Sequence, residues 1–202
     1  MKNHTTSEWA THFYVGQVTA HDQIVTSLTP FLNDATNFGN PWIYSNCKST
    51  CQQDSNALIP WDVFYQAIQP NIQEYLDSLE PLCEYKVHSN EVWMNLYDQG
   101  EYQEIHDHAF PNRAFSCAYM LELPQDADSG GQLIFENPNF SIVQATGINR
   151  IFNSFSQGKF IPTIQEGTLV IFPSWASHYV LPNKSKSRRI TVSANFSVEG
   201  AY

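Results

Sequence analysis

The spacing of apolar residues divides the chain into a helical part and a β-rich part. From Trp61 to Leu79 apolar side chains recur at intervals of three and four, which places them on one face of a helix. Pro70 interrupts this pattern and is expected to kink the helix or to begin a second one. A weaker repeat of the same kind covers residues 22–32. Together these stretches predict an N-terminal layer of helices, interrupted by a polar, turn-rich loop over residues 34–60.

Beyond about residue 85 the pattern changes to short β-forming runs separated by Gly, Pro, Asn and Asp. The runs are VWMNLY, YQEIHDH, AFSCAYMLEL, GQLIFEN, TLVIFP, SHYVL and RRITVSANF. Many short strands in succession predict an antiparallel sandwich or barrel. In the last run the polar residues Arg189, Thr191, Ser193 and Asn195 share one face, and the residues between them are apolar. This alternation is typical of a strand whose polar face lines a pocket, and equally of a strand at a solvent-facing edge.

Length and composition narrow the class of protein further. The 202 residues suit one domain, with a helical and loop layer over residues 1–84 and a β core over residues 85–198. A formal net charge of −10 disfavours binding to nucleic acid or to anionic membranes. Without a signal peptide pattern or about 20 consecutive apolar residues, the protein is expected to be soluble and cytoplasmic. The four cysteines are expected to be reduced and to bind no metal.

The sequence His106-Asp107-His108 is a candidate metal site. Two residues apart in a strand, the histidines project to the same side with Cα atoms roughly 6.6 Å apart, while Asp107 points away. A third histidine, His178, follows the end of another predicted strand. Such a set can form a three-point site in a β-barrel that leaves metal positions open. An H-x-H step alone is more often a pair of satisfied or surface histidines, and a bulge would turn Asp107 inward instead.

Arg189 and Thr191 form a candidate anion site on the polar face of the last strand. A guanidinium can form a bidentate pair with a carboxylate, and a hydroxyl beside it adds a further donor. This arrangement would suit a dicarboxylate at the end remote from the metal. The alternative is that Arg188 and Arg189 are two basic residues exposed to solvent. Gly130-Gly131 is interpreted more simply, as a turn between strands.

At these residues the chain resembles the Fe(II)/2-oxoglutarate-dependent dioxygenases of the prolyl-4-hydroxylase-like branch. The resemblance covers about residues 92–196 and is strongest to a group of oxygenases common in marine bacteria and their phages. It is carried, in order, by WMNLY, the H-x-H step, SGGQLIF, FPSW-x-x-H and a closing R-I-T-x-S-x-N. Each motif is short, but their common order makes a chance match improbable.

The resemblance implies an α+β, mainly β fold: a double-stranded β-helix, or jelly-roll and cupin-like barrel, with the N-terminal helices packed outside. It also implies Fe(II) and 2-oxoglutarate, with His108 standing where most members of the family have a carboxylate. The residues that would form the site are His106, His108 and His178 for the metal, and Arg189, Thr191, Tyr97 and the weaker candidate Asn95 for the cosubstrate.

The implied reaction is hydroxylation of a C–H bond by O2, with succinate and CO2 as co-products and ascorbate as an accessory reductant. The substrate would be a prolyl or other peptidyl residue, or a small molecule, lying beneath residues 34–60 and 136–160. A bulky imidazole at position 108 leaves no room for a halide ligand, so halogenation is disfavoured. Two rival functions are a cupin-type dioxygenase that does not use 2-oxoglutarate and a non-catalytic cupin-like binding module. Neither of them needs Arg189.

Overall fold

The computed structural model describes residues 10–40, 45–126, 128–151 and 156–200. In chain order the elements are β1 (Tyr14–Gln17), α1 (His21–Leu32), β2 (Ser45–Asn46), β3 (Lys48–Ser49), α2 (Trp61–Asp77), β4 (Tyr85–Tyr97), β5 (Tyr102–His106), β6 (Phe115–Glu122), β7 (Leu133–Glu136), α3 (Phe140–Ala145), β8 (Lys159–Phe160), β9 (Thr168–Pro173), β10 (His178–Val180) and β11 (Arg189–Gly200). The prediction of a mainly β chain with few helices is confirmed. Within the described ranges, no helix has the length and apolarity needed to span a membrane.

The strands form two antiparallel sheets. The major sheet has the order β1-β9-β6-β11-β4-β3, and the minor sheet has the order β2-β5-β10-β7-β8. Among the described strands no ladder joins one sheet to the other, so the predicted barrel is not closed. The outer strands of the major sheet are β1 and β3, and those of the minor sheet are β2 and β8. β2, β3 and β8 have two residues each, which leaves little backbone to pair from one sheet to the other.

The N-terminal part contributes strands that the apolar pattern did not predict. β1 pairs along the edge of β9, and β3 pairs with β4. A run of two residues such as Lys48–Ser49 has no measurable period, so its pairing depends on the neighbouring strand. The expectation that a second helix begins at Pro70 is wrong, because α2 is continuous through it. Pro70 is exposed, and the buried side chains of Ile68 and Ile72 anchor the helix on both sides of it.

Two hydrophobic clusters lie on opposite faces of the major sheet. One contains buried residues of α1 and α2, such as Ile24 and Phe64, together with residues of β4, β6, β9 and β11. The other contains Phe135 of the minor sheet and Met120 and Phe172 of the major sheet, and therefore lies between the sheets. The helices are held by the first cluster, and the second forms the floor of the region where the polar residues of β11 face inward.

The position of β11 resolves the two interpretations of its alternating sequence. It pairs with β4 on one side and with β6 on the other, so it is a central strand and not an edge. Its apolar residues belong to the cluster that contains the helices. Its polar residues Arg189, Thr191, Ser193 and Asn195 are all buried on the other face. Because side chains alternate across a strand, this face looks toward the minor sheet.

Candidate functional site

Three histidines converge between the two sheets. β5 ends at His106 and β10 begins at His178, and the register of this pair of strands places the two residues directly opposite each other. Their ring centroids are 4.3 Å apart. The ring of His108 lies 5.0 Å from that of His178 and 5.5 Å from that of His106. One nitrogen of each histidine lies within 4.8 Å of the other two, a separation that one metal ion can bridge.

His108 reaches the cluster by a route that differs from the prediction. β5 stops at His106, so the two histidines do not share a strand face as expected. Instead the amide N–H of His108 donates to the carbonyl oxygen of Ser174 at 2.7 Å, which ties the segment after β5 to the turn before β10. Asp107 is exposed, and its carboxylate accepts from the amide of Ala109 at 2.9 Å. This placement favours His108 over Asp107 as the third ligand.

All three imidazoles use Nδ1 for hydrogen bonds to oxygen acceptors. Nδ1 of His106 lies 2.7 Å from the carbonyl oxygen of Glu104, and Nδ1 of His178 lies 2.9 Å from that of Ala176. Nδ1 of His108 lies 2.9 Å from the side-chain oxygen of Asn195. Since a carbonyl oxygen can only accept, each Nδ1 carries the hydrogen. Each Nε2 therefore keeps a lone pair for a metal, as in protein metal sites whose histidines are oriented by outer hydrogen bonds.

Burial keeps these histidines neutral. Burial, followed by the neighbouring His106, lowers the pKa of His108 to about 4. Burial also lowers the pKa of His106. The pKa of His178 falls well below its usual range, first through burial and then through repulsion by the other two histidines. Neutral imidazole is the form that binds metal, so at neutral pH the cluster is in the protonation state that a metal requires.

Arg189 lies at the start of β11, opposite Tyr97 of β4, and is 2% exposed. Its guanidinium carbon lies 4.9 Å from the centroid of the Tyr97 ring, and Nη2 lies 3.5 Å from the sulfur of Met120. Nε and Nη1 have no hydrogen-bond partner among the described residues. Burial lowers the pKa of Arg189. A buried guanidinium without an anion is unfavourable, so this side chain is suited to a ligand that brings a carboxylate.

A small cavity connects the histidines with Arg189. It is lined by all seven residues that the sequence predicted for the site: Asn95, Tyr97, His106, His108, His178, Arg189 and Thr191. The hydroxyl of Tyr97 donates to the side-chain oxygen of Gln103 at 2.6 Å, and the amide of Asn95 donates to the hydroxyl of Ser193 at 3.3 Å. The cavity has a volume of about 20 Å³, roughly the space of one water molecule.

A second cavity of about 770 Å³ opens to solvent beside the small one. The two share the side chains Trp93, Asn95, Gln103, His106 and His108. Residues 45–57 of the predicted covering loop contribute to the wall of the large cavity. The described part of 136–160 does not, contrary to expectation. Its strand β8 lies at the edge of the minor sheet remote from β5, and this position separates the segment from the histidines.

The sequence did not identify several residues around the site. Gly131 was interpreted as part of a turn, and its φ of +67° agrees with that. A side chain at Gly131 would also place its Cβ 2.9 Å from Cδ of Arg189, so the glycine provides room for the guanidinium. Ser116 and Asn195 contact His108. Two signals were available in the sequence. Ser116 is a polar residue within the mainly apolar run of β6, and Asn195 is on the polar face of β11.

Comparisons with known proteins identify a matching family and solved structures with a similar fold. A model of the family described as "Putative 2OG-Fe(II) oxygenase" matches residues 91–195. A search of curated proteins found no match. A prolyl-4-hydroxylase from Pseudomonas putida is 18% identical, with a TM-score of 0.62 and 93% of each chain covered.

Two further prolyl hydroxylases have similar structures. A viral collagen prolyl hydroxylase from Paramecium Bursaria Chlorella virus-1, in complex with 2OG, is 18% identical, with a TM-score of 0.56 over 91% of this chain and 94% of that one. A prolyl hydroxylase from Trichoplax adhaerens, in complex with a peptide fragment of hypoxia inducible factor, is 12% identical, with a TM-score of 0.61 over 92% of this chain and 83% of that one. At these identities the similarity establishes a shared fold.

Proposed function

The chain belongs to the 2OG-Fe(II) oxygenase family, and we propose that it hydroxylates a C–H bond of its substrate with His106, His108 and His178 as the Fe(II) ligands. Fe(II) and 2-oxoglutarate are the metal and the cosubstrate of this family. We further propose that residues 1–202 form one oxygenase domain, with a helical and loop layer over 1–84 and a double-stranded β-helix core over 85–198. In this proposal the helices pack on the outside of the core.

One observation carries the proposal most directly. The buried guanidinium of Arg189, with two nitrogens unpaired among the described residues, lines the same small cavity as the three histidines. An anionic ligand would satisfy both nitrogens and offset the cost of burying the charge. A cupin-type dioxygenase without 2-oxoglutarate, or a non-catalytic binding module, has no need of a guanidinium there. The position of Arg189 therefore favours a dicarboxylate cosubstrate over either rival.

The three histidines suit Fe(II) both in ligand type and in protonation state. Imidazole nitrogen is a suitable ligand for iron, and three ligands from one side leave positions open. Three neutral ligands do not offset the charge of a divalent cation, and the two negative charges of 2-oxoglutarate would do so. When bound, Fe(II) with 2-oxoglutarate supplies the oxidising chemistry that uses O2, releases succinate and CO2, and hydroxylates a C–H bond.

The residues of the chain would bind and orient the reactants. Arg189 would hold the remote carboxylate of 2-oxoglutarate by paired hydrogen bonds, with the hydroxyl of Thr191 beside it. Tyr97 packs under the guanidinium and limits its movement, and its hydroxyl would donate to the cosubstrate in place of its present bond to Gln103. Asn95 lines both cavities and is a weaker candidate for the same ligand. The small cavity is narrow, so 2-oxoglutarate would have to displace side chains that separate the two cavities.

We propose a prolyl or other peptidyl residue as the substrate, held in the large cavity. Its volume is within the range of protein ligand sites, and it is open to solvent on the side of the histidines. Aromatic side chains in its wall, Trp61, Tyr65 and Trp93, can pack against an apolar residue of a peptide. The prolyl hydroxylase from Trichoplax adhaerens, which has a similar fold, is in complex with a peptide fragment, and this supports a peptide as the ligand. A small metabolite is the competing substrate class.

The test is to incubate the protein with Fe(II), ascorbate and 2-oxoglutarate in air and to follow succinate by proton NMR. We expect slow succinate formation without substrate, and none with His106→Ala or His178→Ala. Adding proline-containing peptides should accelerate it and increase the mass of one peptide by one oxygen atom. Absence of both metal-dependent 2-oxoglutarate binding and succinate formation in the parent would overturn the oxygenase proposal. Acceleration by metabolites alone would overturn the peptide substrate.

A further inference from the structure

His108 is held by a chain of polar side chains that leads from the cavity to the surface. Its Nδ1 lies 2.9 Å from Oδ1 of Asn195 and 3.0 Å from Oγ of Ser116. Ser116 itself donates to the same Asn195 oxygen at 2.8 Å. On its other side, Nδ2 of Asn195 donates to Oε2 of Glu91 at 2.8 Å. The same carboxylate oxygen accepts from Nη2 of Arg113 at 2.6 Å.

This chain fixes which way the amide of Asn195 points. A carboxylate can only accept hydrogen bonds, so the atom of Asn195 that faces Glu91 must be the nitrogen. The oxygen must then face His108. Asn195 is 1% exposed, so neither amide atom can turn to water instead. Arg113 bonds to the Glu91 carboxylate from the other side and holds it in place.

The register of the strands brings these residues together. Asn195 of β11 pairs with Glu91, which precedes the WMNLY run, and with Ser116 of β6 on the opposite side. The three side chains therefore meet at one level of the major sheet, directly behind His108. The pairing of β11 with both β4 and β6 brings the three residues to this level of the sheet, beside a register shift between Asn195 and Phe196 in the pairing with β4.

We propose that Glu91 and Asn195 are positioning residues that specify histidine, and not a carboxylate, at position 108. Asn195 presents an oxygen acceptor to position 108, and the side chain there must therefore donate a hydrogen. Neutral histidine does so through Nδ1 and keeps Nε2 for the metal. An aspartate would place a carboxylate oxygen against the oxygen of Asn195, and the amide could not rotate while Glu91 holds its nitrogen. The proposal depends on the role of His108 as a metal ligand.

The chain also has an electrostatic consequence for the metal. Glu91 polarises the amide of Asn195, which strengthens the acceptor that faces His108. A stronger acceptor at Nδ1 makes the opposite nitrogen of an imidazole more basic. Glu91 and Asn195 therefore increase the electron donation of His108 to the metal. This replaces part of the negative charge that a carboxylate ligand would bring.

The test is a double-mutant cycle of Glu91→Gln and His108→Asp, with the dissociation constant for Co(II) as the readout. In the parent, E91Q lets the Asn195 amide turn either way, so Co(II) affinity should fall, near the lower end of the about 10- to 100-fold cost typical for outer partners of metal-bound histidines. In H108D, the same substitution lets the amide donate to the aspartate. E91Q should therefore raise the Co(II) affinity of H108D, whereas it lowers the Co(II) affinity of the parent.

An effect of E91Q with the same sign and size in both backgrounds would overturn the inference. Failure of the parent to bind Co(II) would instead overturn the proposed metal site, so the two failures are distinguishable. E91Q removes the ion pair between Glu91 and Arg113 in both backgrounds, so the effect of that loss cancels in the cycle. Asn90→Ala is a matched control, since Asn90 bonds to Asn112 and Ser197 and to none of the histidines. It should leave Co(II) affinity unchanged.

A second readout does not depend on metal. Long-range ¹H–¹⁵N NMR spectra distinguish the two tautomers of a neutral imidazole. In the metal-free parent, His108 should carry its hydrogen on Nδ1, and in Asn195→Ala it should populate both tautomers. An unchanged tautomer in a folded Asn195→Ala protein would contradict the proposed role of Asn195.

Discussion

At the scale of single residues, Arg189 combines nearly complete burial with a positive charge that no described acidic side chain offsets. Its neighbour Arg188 shows the contrast, because it is partly exposed and bonds to both carboxylate oxygens of Glu122. Two consecutive arginines thus have different roles, and the alternation of β11 decides which one faces inward. The period of two in RRITVSANF placed Arg189 on the polar face and left open whether that face lines a pocket or meets solvent, and the central position of β11 decides for the pocket.

Replacing Arg189 by methionine should weaken the binding of 2-oxoglutarate without lowering the stability of the metal-free protein. We expect 2-oxoglutarate affinity in the Co(II)-loaded protein to fall by about 2–5 kcal/mol, roughly 30-fold or more, because the buried partner of the carboxylate is lost. The metal-free variant should be as stable as the parent or more stable, since an unpaired buried charge is removed. Calorimetric titration and urea unfolding would measure the two effects. Arg188→Met, as a control, should leave 2-oxoglutarate affinity unchanged.

A fall in stability of metal-free R189M without a change in 2-oxoglutarate affinity would contradict this account of Arg189. That outcome would mean that the guanidinium supports the fold and does not bind the cosubstrate.

At the scale of elements, periodicity predicted the long helices and strands well and the positions between them poorly. The run TLVIFP corresponds to β9 residue for residue. By contrast, β5 was expected to include His108 and ends at His106. The reason is a contact that no local pattern encodes, the bond from the amide of His108 to Ser174, 66 residues along the chain. The convergence of the histidines was predicted, but its geometry depends on this long-range bond.

The network behind His108 could not be predicted for a similar reason. Asn195 was visible as a member of a polar strand face, but Glu91 lay at the edge of a predicted strand and carried no signal. The two come together only through the pairing of β11 with β4, and register between distant strands is not readable from one sequence. Asn195 was predicted as part of the polar face of its own strand, whereas its partners Glu91 and Ser116 on the neighbouring strands were missed.

The packing of α2 against the major sheet makes a prediction at this scale. Phe64 is fully buried, and its ring centroid lies 5.6 Å from that of Tyr119 in β6. Phe64→Ala should lower the free energy of unfolding by about 3–5 kcal/mol, because it leaves a cavity between the helix and the sheet. The exposed Gln66 on the same helix is the control, and Gln66→Ala should change it by less than about 0.5 kcal/mol. Urea unfolding measures both, and equal effects would contradict this packing.

At the scale of the whole molecule, the buried neutral histidines link metal-free stability to pH. The pKa of His108 is about 4 in the folded protein, below the ordinary value of about 6.5 expected when unfolded. Between these values the unfolded chain binds a proton that the folded chain excludes, so stability falls as pH decreases. This histidine alone should cost roughly 2 kcal/mol by pH 5 relative to neutral pH. His106 and His178 act in the same direction.

Urea unfolding of the metal-free protein between pH 5 and 7.5 would test this linkage. Stability should increase with pH over this range, and His108→Gln should make the increase smaller. A slope that is the same in parent and variant would show that His108 is not buried as a neutral group.

The central claim is that the three histidines and Arg189 form one site that holds a metal and 2-oxoglutarate together. The most direct measurement is a crystal structure of the protein with Co(II) and 2-oxoglutarate bound. The account predicts one metal ion about 2.1 Å from Nε2 of His106, His108 and His178, with the remote carboxylate of 2-oxoglutarate on the guanidinium of Arg189. A metal bound through Asp107 in place of His108, or a 2-oxoglutarate that does not contact Arg189, would contradict it.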